Sequence, residues 1–590
     1  MNQPVSEPAS QRASESTKRG FADSLDSPTR LIRRFSDSFL LLPALLYLAA
    51  FFFYPLLRIL TLALAPTGHS TLNTGNWSLI TVHSLGFTLY QAFLSTLLTF
   101  LLGLPAAYLF ARFDFRGKSL LRALTAVPFM LPTVVVAAGF NALLGPRGLS
   151  SFILDPSSFQ FTGTLTAILL AHVFYNASIV IRIVSNALTH LDPRLEQAAR
   201  TLGANDWRVW TRVTLPLLRA PLLAAGLLVF LFDFTSFGVI LLLGGPQFST
   251  LEVEIYIQAL RLLNLPMAAI LSLVQLLCTL AFSIHYTRVV TRSPIPTTPK
   301  PSTARRPKSL REKIFAASFI FLLASFFFLP LASLPLRSLT RLEADRGQRE
   351  EIRTGLTFDY YSELFINQRG SVFYIPPLEA ARNSLAYAAV TVALSLALGF
   401  PAASALAHPS RLAKLLDPLL MLPLGASAVT LGLGYIVTFN KPLPLITEHW
   451  SLITSPLIIP LAHTLIALPF VIRTLQPALA SIPTRLRDAA ASLGASPFRV
   501  WRTVDWPIVS RAVLASGVFA FTVSLGEFGA ATLLSRPDFP TLPLAIARFL
   551  SQPGGLNYGQ AMAMSTILMV VTLLGILLIE RVRLPGVGEF

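Results

Sequence analysis

The sequence predicts an all-α, polytopic membrane protein of about twelve transmembrane helices, arranged as two tandem, parallel copies of one six-helix unit. Three observations carry this expectation. Of the 590 residues 53% are hydrophobic and only 13% charged, with a mean hydropathy of +0.62. Apolar stretches of roughly 20 residues, the length that crosses a hydrocarbon core, recur along the whole chain. The second half repeats the first at a fixed offset of 291 residues.

The expected spans are 39–60, 85–111, 123–144, 163–181, 221–245, 262–284, 314–336, 383–407, 418–440, 452–472, 512–535 and 559–579. Backbone polar groups in lipid must be paired within their own segment, so uniformly apolar runs of this length read as helices, not barrel strands. Residues 1–38 are polar and Ser-rich and read as a disordered cytoplasmic tail before an uncleaved first helix. Residues 288–313 carry five prolines among Lys and Arg and read as a solvated linker between units at 39–287 and 314–584.

The formal charge of +18 would suit a nucleic-acid partner if it formed one patch, but it is divided among alternate loops. Arg112 to Arg122, Arg194 to Arg219, Arg288 to Lys313, Arg411 and Lys414, Arg485 to Arg511, and Arg581 with Arg583 hold most of it, whereas 61–84 has no Lys or Arg and 145–162 only Arg147. By the positive-inside rule the basic loops and both termini are cytoplasmic, and the partner of the chain is the lipid bilayer, with no nucleic acid. The single cysteine, Cys278, falls in a span and excludes an internal disulfide or Cys cluster.

The repeat is legible through loops as well as spans, which shared apolar composition alone would not produce. Met130-Leu131-Pro132 recurs as Met421-Leu422-Pro423, Leu170-Ala171-His172 as Leu461-Ala462-His463, Arg208-Val209-Trp210 as Arg499-Val500-Trp501, and Phe237-Gly238 as Phe528-Gly529. Earlier, Leu102-Gly103-Leu104-Pro105 matches Leu398-Gly399-Phe400-Pro401 at an offset of 296. An even number of spans per copy makes the repeats parallel, a geometry that can enclose a central pathway.

The most informative segment is the basic loop after the fourth span of each copy. It reads Gln197-Ala198-Ala199-Arg200-Thr201-Leu202-Gly203 with Pro216 following, and Asp488-Ala489-Ala490-Ala491-Ser492-Leu493-Gly494 with Pro507 following. Helix formers before a glycine predict a short helix with a left-handed stop, and the stretch beyond Gly predicts a second short helix returning as far as Pro. The small residues would permit close approach of a partner, and Arg208, Arg212, Arg499 and Arg502 offer charge-assisted hydrogen bonds. The plainer reading is an amphipathic helix lying against lipid headgroups.

This loop resembles the Glu-Ala-Ala-x3-Gly-x9-Ile-x-Leu-Pro signature of permease subunits of binding-protein-dependent ABC importers. The resemblance implies a type I ABC importer permease fold, in which the short helix sits in a groove of the ATP-binding subunit and transmits its closure to the membrane helices. Carried over by position, Gln197 and Asp488 hold the acidic place, Ala198, Ala199, Ala489 and Ala490 the small face, Gly203 and Gly494 the turn, and Pro216 and Pro507 the exit. The sequence departs from the signature in having Gln and Asp for Glu, and Trp506 for Leu. Further partners implied are a homodimer of the ATP-binding subunit and an extracytoplasmic solute-binding protein, in the plasma or inner membrane.

No catalytic site is expected in the chain. Gly117-Lys118-Ser119 ends like a phosphate-binding loop, but Arg112 stands where that motif requires its first glycine. Neither metal-ligand spacing nor a Ser-His-Asp set is legible, so no metal or other cofactor is expected here, and ATP belongs to the partner subunit. Ionisable residues within spans are costly, which singles out Asp233 and Glu527, either as pathway-lining groups or as interhelical hydrogen-bond partners. The register pairs Asp233 with Ser524 and Glu527 with Ser236, whereas His172 and His463 share one position and read as structural. Arg58 is expected to snorkel, and Pro105, Pro132, Pro401 and Pro423 to kink helices. The fused architecture resembles permeases for ferric iron or thiamine, and the two acids put iron first. The rival is a gradient-driven secondary transporter of twelve spans, which also has two six-helix halves but no reason to repeat this signature.

Overall fold

The computed structural model describes residues 39–64, 74–152, 161–292, 304–341, 355–366, 376–407, 411–440 and 451–582. The expected tail 1–38 and residues 293–303 of the expected linker lie outside these. Among the described residues the protein is all-α, with only two isolated β-bridges, Phe113 to Arg305 and Thr340 to Leu356. Among the described residues nine helices are long and apolar enough to cross a membrane, and three bent helix pairs bring that total to as many as twelve. The chain is therefore a multi-pass membrane protein.

In order, the first copy contains α1 (Phe39–Leu64), α2 (Thr74–Arg112), α3 (Lys118–Met130), α4 (Thr133–Leu144), α5 (Leu165–His190), α6 (Pro193–Thr201), α7 (Asp206–Leu217), α8 (Arg219–Phe234), α9 (Gly238–Leu243), α10 (Leu251–Tyr256) and α11 (Leu265–Arg292). The second contains α12 (Leu310–Ser338), α13 (Pro377–Leu406), α14 (Arg411–Met421), α15 (Ala428–Phe439), α16 (Ile458–Ala480), α17 (Thr484–Ser492), α18 (Trp506–Gly526), α19 (Gly529–Leu534), α20 (Leu542–Ser551) and α21 (Gly555–Val582).

Four expected spans are not simple rods. The third bends by 112° between α3 and α4, and the ninth by 95° between 413–425 and α15. Leu131-Pro132 and the 3-10 turn Leu422–Gly425 lie at these breaks, where proline supplies no amide hydrogen and clashes with the preceding turn. Pro105 and Pro401, by contrast, are absorbed inside α2 and α13. The expected fifth and eleventh spans, 221–245 and 512–535, each end early. Their helices stop at Phe234 and Gly526, and short helices α9 and α19 resume after Phe237 and Phe528.

Each copy is built on a three-helix core, α2 with α5 and α8, and α13 with α16 and α18. Both cores close over glycine at the same place. A Cβ on Gly103 would meet Val180 Cγ1 at 2.7 Å, and one on Gly399 would meet Val471 Cγ1 at 2.7 Å. Small residues let backbones approach where lipid supplies no hydrophobic drive for association.

The first helix of each copy packs on the other copy. Leu41, Ala44, Leu48 and Phe52 of α1 are buried with Ala402, Leu431, Leu465 and Leu468, and the Tyr47 hydroxyl donates to the Leu461 carbonyl. Reciprocally, Leu323, Phe327, Leu331 and Leu334 of α12 are buried with the α4 residues Val134 to Phe140, and Ser333 Oγ donates to the Gly139 carbonyl at 2.9 Å. The exchange ties the two copies together on both flanks.

Candidate functional site

The loop singled out in sequence forms a small knob in each copy, and the two knobs are built alike. In the first, Asp192 accepts the Arg194 amide at 3.0 Å and starts α6. The helix stops with the Ala204 amide donating to the Ala199 carbonyl and the Gly203 amide to the Arg200 carbonyl, both at 3.0 Å, and Gly203 takes φ +84°. This is a Schellman stop, in which only glycine enters the left-handed region at no steric cost. The second knob repeats it: Ala495 donates to Ala490 at 3.1 Å and Gly494 to Ala491 at 2.9 Å, with Gly494 at φ +79°.

The three helix positions of the signature divide by face in the same way in both copies. Gln197, Ala198, Asp488 and Ala489 are exposed, whereas Ala199 and Ala490 are half-buried. Beyond each glycine the knobs present matching apolar side chains outward: Leu202 is 88% and Leu493 89% exposed, and Trp207 is 71% and Phe498 68% exposed. Arg208, Arg212, Arg499 and Arg502 are exposed beside them. Pro216 lies in α7, which turns by 66° into α8. Pro507 differs from the expected stop, because it lies in the first turn of α18 and the helix continues from Phe498 to Gly526.

Each knob is braced by a polar contact between its two helical segments, with the chemistry inverted between copies. Glu196 accepts from Thr214 Oγ1 at 3.1 Å and pairs with Arg112. At the corresponding positions Arg487 donates to Asp505 at 2.8 Å. The sequence reading missed this contact, although Glu against Arg and Thr against Asp at an offset of 291 residues was its visible signal.

Asp233 and Glu527 lie where α8 and α18 break. Asp233 is fully buried, accepts from Asn176 Nδ2 at 2.7 Å, and has its own carbonyl held by Gln91 Nε2 at 2.8 Å. His172 Nδ1 lies 3.0 Å from Ser95 Oγ and 3.5 Å from Asp233 Oδ1, and its Nε2 is 2.8 Å from Ser236 Oγ. Glu527 accepts the amides of Ala530 and Ala531, both at 2.9 Å, and so caps α19. His463 bridges Ser524 and Glu527 at 2.8 and 3.3 Å.

Between the copies the structure adds a group not foreseen in sequence. Buried Glu252 of α10 accepts from Gln275 at 2.5 Å and from Ser427 of the other copy at 3.0 Å. Close by on the chain, Phe237 stacks on Phe528. Among the described residues no group of three His, Cys, Asp or Glu could hold a metal ion.

Comparison with known proteins puts this polytopic all-α chain, with its duplicated exposed loop, in the class of membrane transport permeases. Residues 100–292 match the family described as the binding-protein-dependent transport system inner membrane component. Over most of its length the chain is similar to thiamine transport system permease proteins. It is 28% identical to that of Brucella abortus over 510 residues, 84% of this chain and 86% of the relative. It is 26% identical to that of Escherichia coli over 514 residues, 85% of this chain and 89% of the relative. A probable ABC transporter permease protein of Sinorhizobium fredii is 25% identical over 513 residues, 85% and 88% of the two chains. The chain is a membrane permease subunit of an ABC-type transporter, related to the thiamine permeases.

Proposed function

We propose that this chain forms the whole solute pathway of an ABC importer for thiamine, with its two knobs docking a homodimeric ATP-binding subunit, one protomer under each. The observation that carries the reading is the pair of knobs. Two loops 291 residues apart share a Schellman stop and expose a leucine and an aromatic side chain at matching positions, a surface that water alone would not favour in duplicate. In this reading 39–287 and 314–584 are the two permease units and 288–313 their linker. The termini and knobs are cytoplasmic in a plasma or inner membrane, ATP is hydrolysed on the partner, and an external binding protein delivers the solute.

Thiamine takes precedence over ferric iron because the similar permeases are named for it. The two acids that favoured iron in sequence are engaged in the breaks after α8 and α18. As pathway groups they would have to be released from those partners. The same relatives weigh against a gradient-driven transporter. The test is co-purification of the ATP-binding subunit with the wild type and with Gly203→Asp/Gly494→Asp, followed by uptake of labelled thiamine and ferric iron by the complete transporter. Retention of the ATPase by a folded double variant would overturn the docking role, and uptake of iron without thiamine would overturn the solute.

A further inference from the structure

Around Asp233 the first copy holds a polar cluster that the second copy lacks. Gln91, Asn176 and Asp233 come from α2, α5 and α8 and are 0%, 2% and 0% exposed. Their positions in the second copy carry Tyr387, Ala467 and Ser524. Three positions far apart in sequence thus differ together, while the neighbouring Ser95 and His172 keep their counterparts in Thr391 and His463. A joint difference at one place in space indicates one local requirement.

The hydrogen bonds leave that requirement unmet by protein groups. Both amides spend donors on Asp233, Asn176 on Oδ1 at 2.7 Å and Gln91 on the backbone carbonyl at 2.8 Å. Gln91 Oε1, Asn176 Oδ1 and Asp233 Oδ2 then remain as buried oxygens with no protein donor. Among the described residues His172 is the only titratable group within ion-pair reach of Asp233, and both its ring nitrogens face serine hydroxyls. Unpaired acceptors buried at membrane depth are expensive, and a carboxylate there needs a neutralising partner.

We propose that Gln91, Asn176 and Asp233 form a binding site for a small monovalent cation of the alkali class. Carboxylate and amide carbonyl oxygens are hard donors that suit such ions, and no thiolate is present to favour a soft metal. One carboxylate matches one positive charge, which selects a monovalent over a divalent ion. The ion ties α2, α5 and α8 together next to the break that follows Asp233.

The test uses the purified full chain in lipid nanodiscs, with sodium chloride titrated against choline chloride at constant ionic strength. A saturable rise in the wild-type unfolding temperature of about 2 °C or more is expected. Asp233→Asn, which keeps the shape and removes the charge, should fold in choline and lose the response, and Asn176→Ala should weaken it. Retention of radioactive sodium by the wild type on rapid gel filtration checks the same site without any variant. No sodium response in the wild type, an equal response in Asp233→Asn, or a wild-type stability that follows pH but not sodium would each overturn the proposal. The last outcome would assign the neutralising partner to a proton.

Discussion

Phe237 and Phe528, which occupy the same position in the two copies, stack on each other with ring centroids 5.6 Å apart and planes 27° apart. Two equivalent residues can meet in this way only where the axis relating the copies passes between them. The stack therefore marks the midline, next to the breaks that end α8 and α18. Each phenylalanine truncated to alanine should destabilise the chain by about 3–5 kcal/mol. The double variant should cost less than the sum by about 0.5–1.5 kcal/mol, the interaction of an aromatic pair. Chemical unfolding of the four proteins measures this, and strict additivity would mean that the rings touch without supporting one another.

His172 and His463 sit between an acid and a serine in both copies, but the acid and the serine have exchanged places. The first copy has Asp233 and Ser236, and the second has Ser524 and Glu527 at the matching positions. Glu527 alone reaches the amide hydrogens of the helix that follows it. Glu527→Gln should therefore cost about 1.5–3 kcal/mol, the range for hydrogen bonds to a charged group, and protection of the Ala530 and Ala531 amides against hydrogen exchange should fall. Unchanged exchange there would show that the carboxylate does not hold α19.

What could be read in advance follows from which physical signals are local. Span number and repeat register are written in hydropathy and in matched loops, and the knob's left-handed stops follow from Gly203 and Gly494. The breaks after Phe234 and Gly526 were not visible, because residues 238–243 and 529–534 are as apolar as the spans they leave, and hydropathy does not report direction. Glu252 carries no local mark either. One of its two partners, Ser427, is supplied by the other copy, so its role between the copies emerges only when they pack. The exchange of α1 and α12 is invisible for the same reason, since an apolar helix carries no label for the surface it will cover.

The glycine stops of the knobs make a prediction that separates backbone from packing. A Cβ on Gly203 or Gly494 would meet nothing within 4 Å, so any cost of Ala there comes from the positive φ alone. Gly203→Ala and Gly494→Ala should each destabilise the local helix end by about 1–2 kcal/mol, whereas Asn, which tolerates the left-handed region, should cost less. Hydrogen exchange at the Ala204 and Ala495 amides reads the difference. Equal effects of Ala and Asn would remove backbone conformation as the reason for glycine.

A cleft of about 170 Å³ lies beside the second knob, and the sequence places a larger side chain at the matching position of the first copy. It is lined by Phe400, Ser404, Trp501, Trp506 and the Arg487–Asp505 pair, among others. By the 296-residue offset that aligns Gly103 with Gly399, the position of Ser404 is held in the first copy by Tyr108. The Tyr108 ring packs edge-on against Trp210 with centroids 6.2 Å apart, and Trp210 is the counterpart of Trp501. Ser404→Tyr should fill the cleft as the first copy does and raise stability by about 0.5–2 kcal/mol, the usual gain from filling a cavity. Ser404→Ala removes a hydroxyl that donates to the Phe400 carbonyl at 2.8 Å without filling the cleft, and should not raise the unfolding temperature. Thermal unfolding of the two variants decides the matter. A lower unfolding temperature for Ser404→Tyr would mean that Trp501 and Trp506 cannot turn to receive the ring, and that the second knob is packed in its own way.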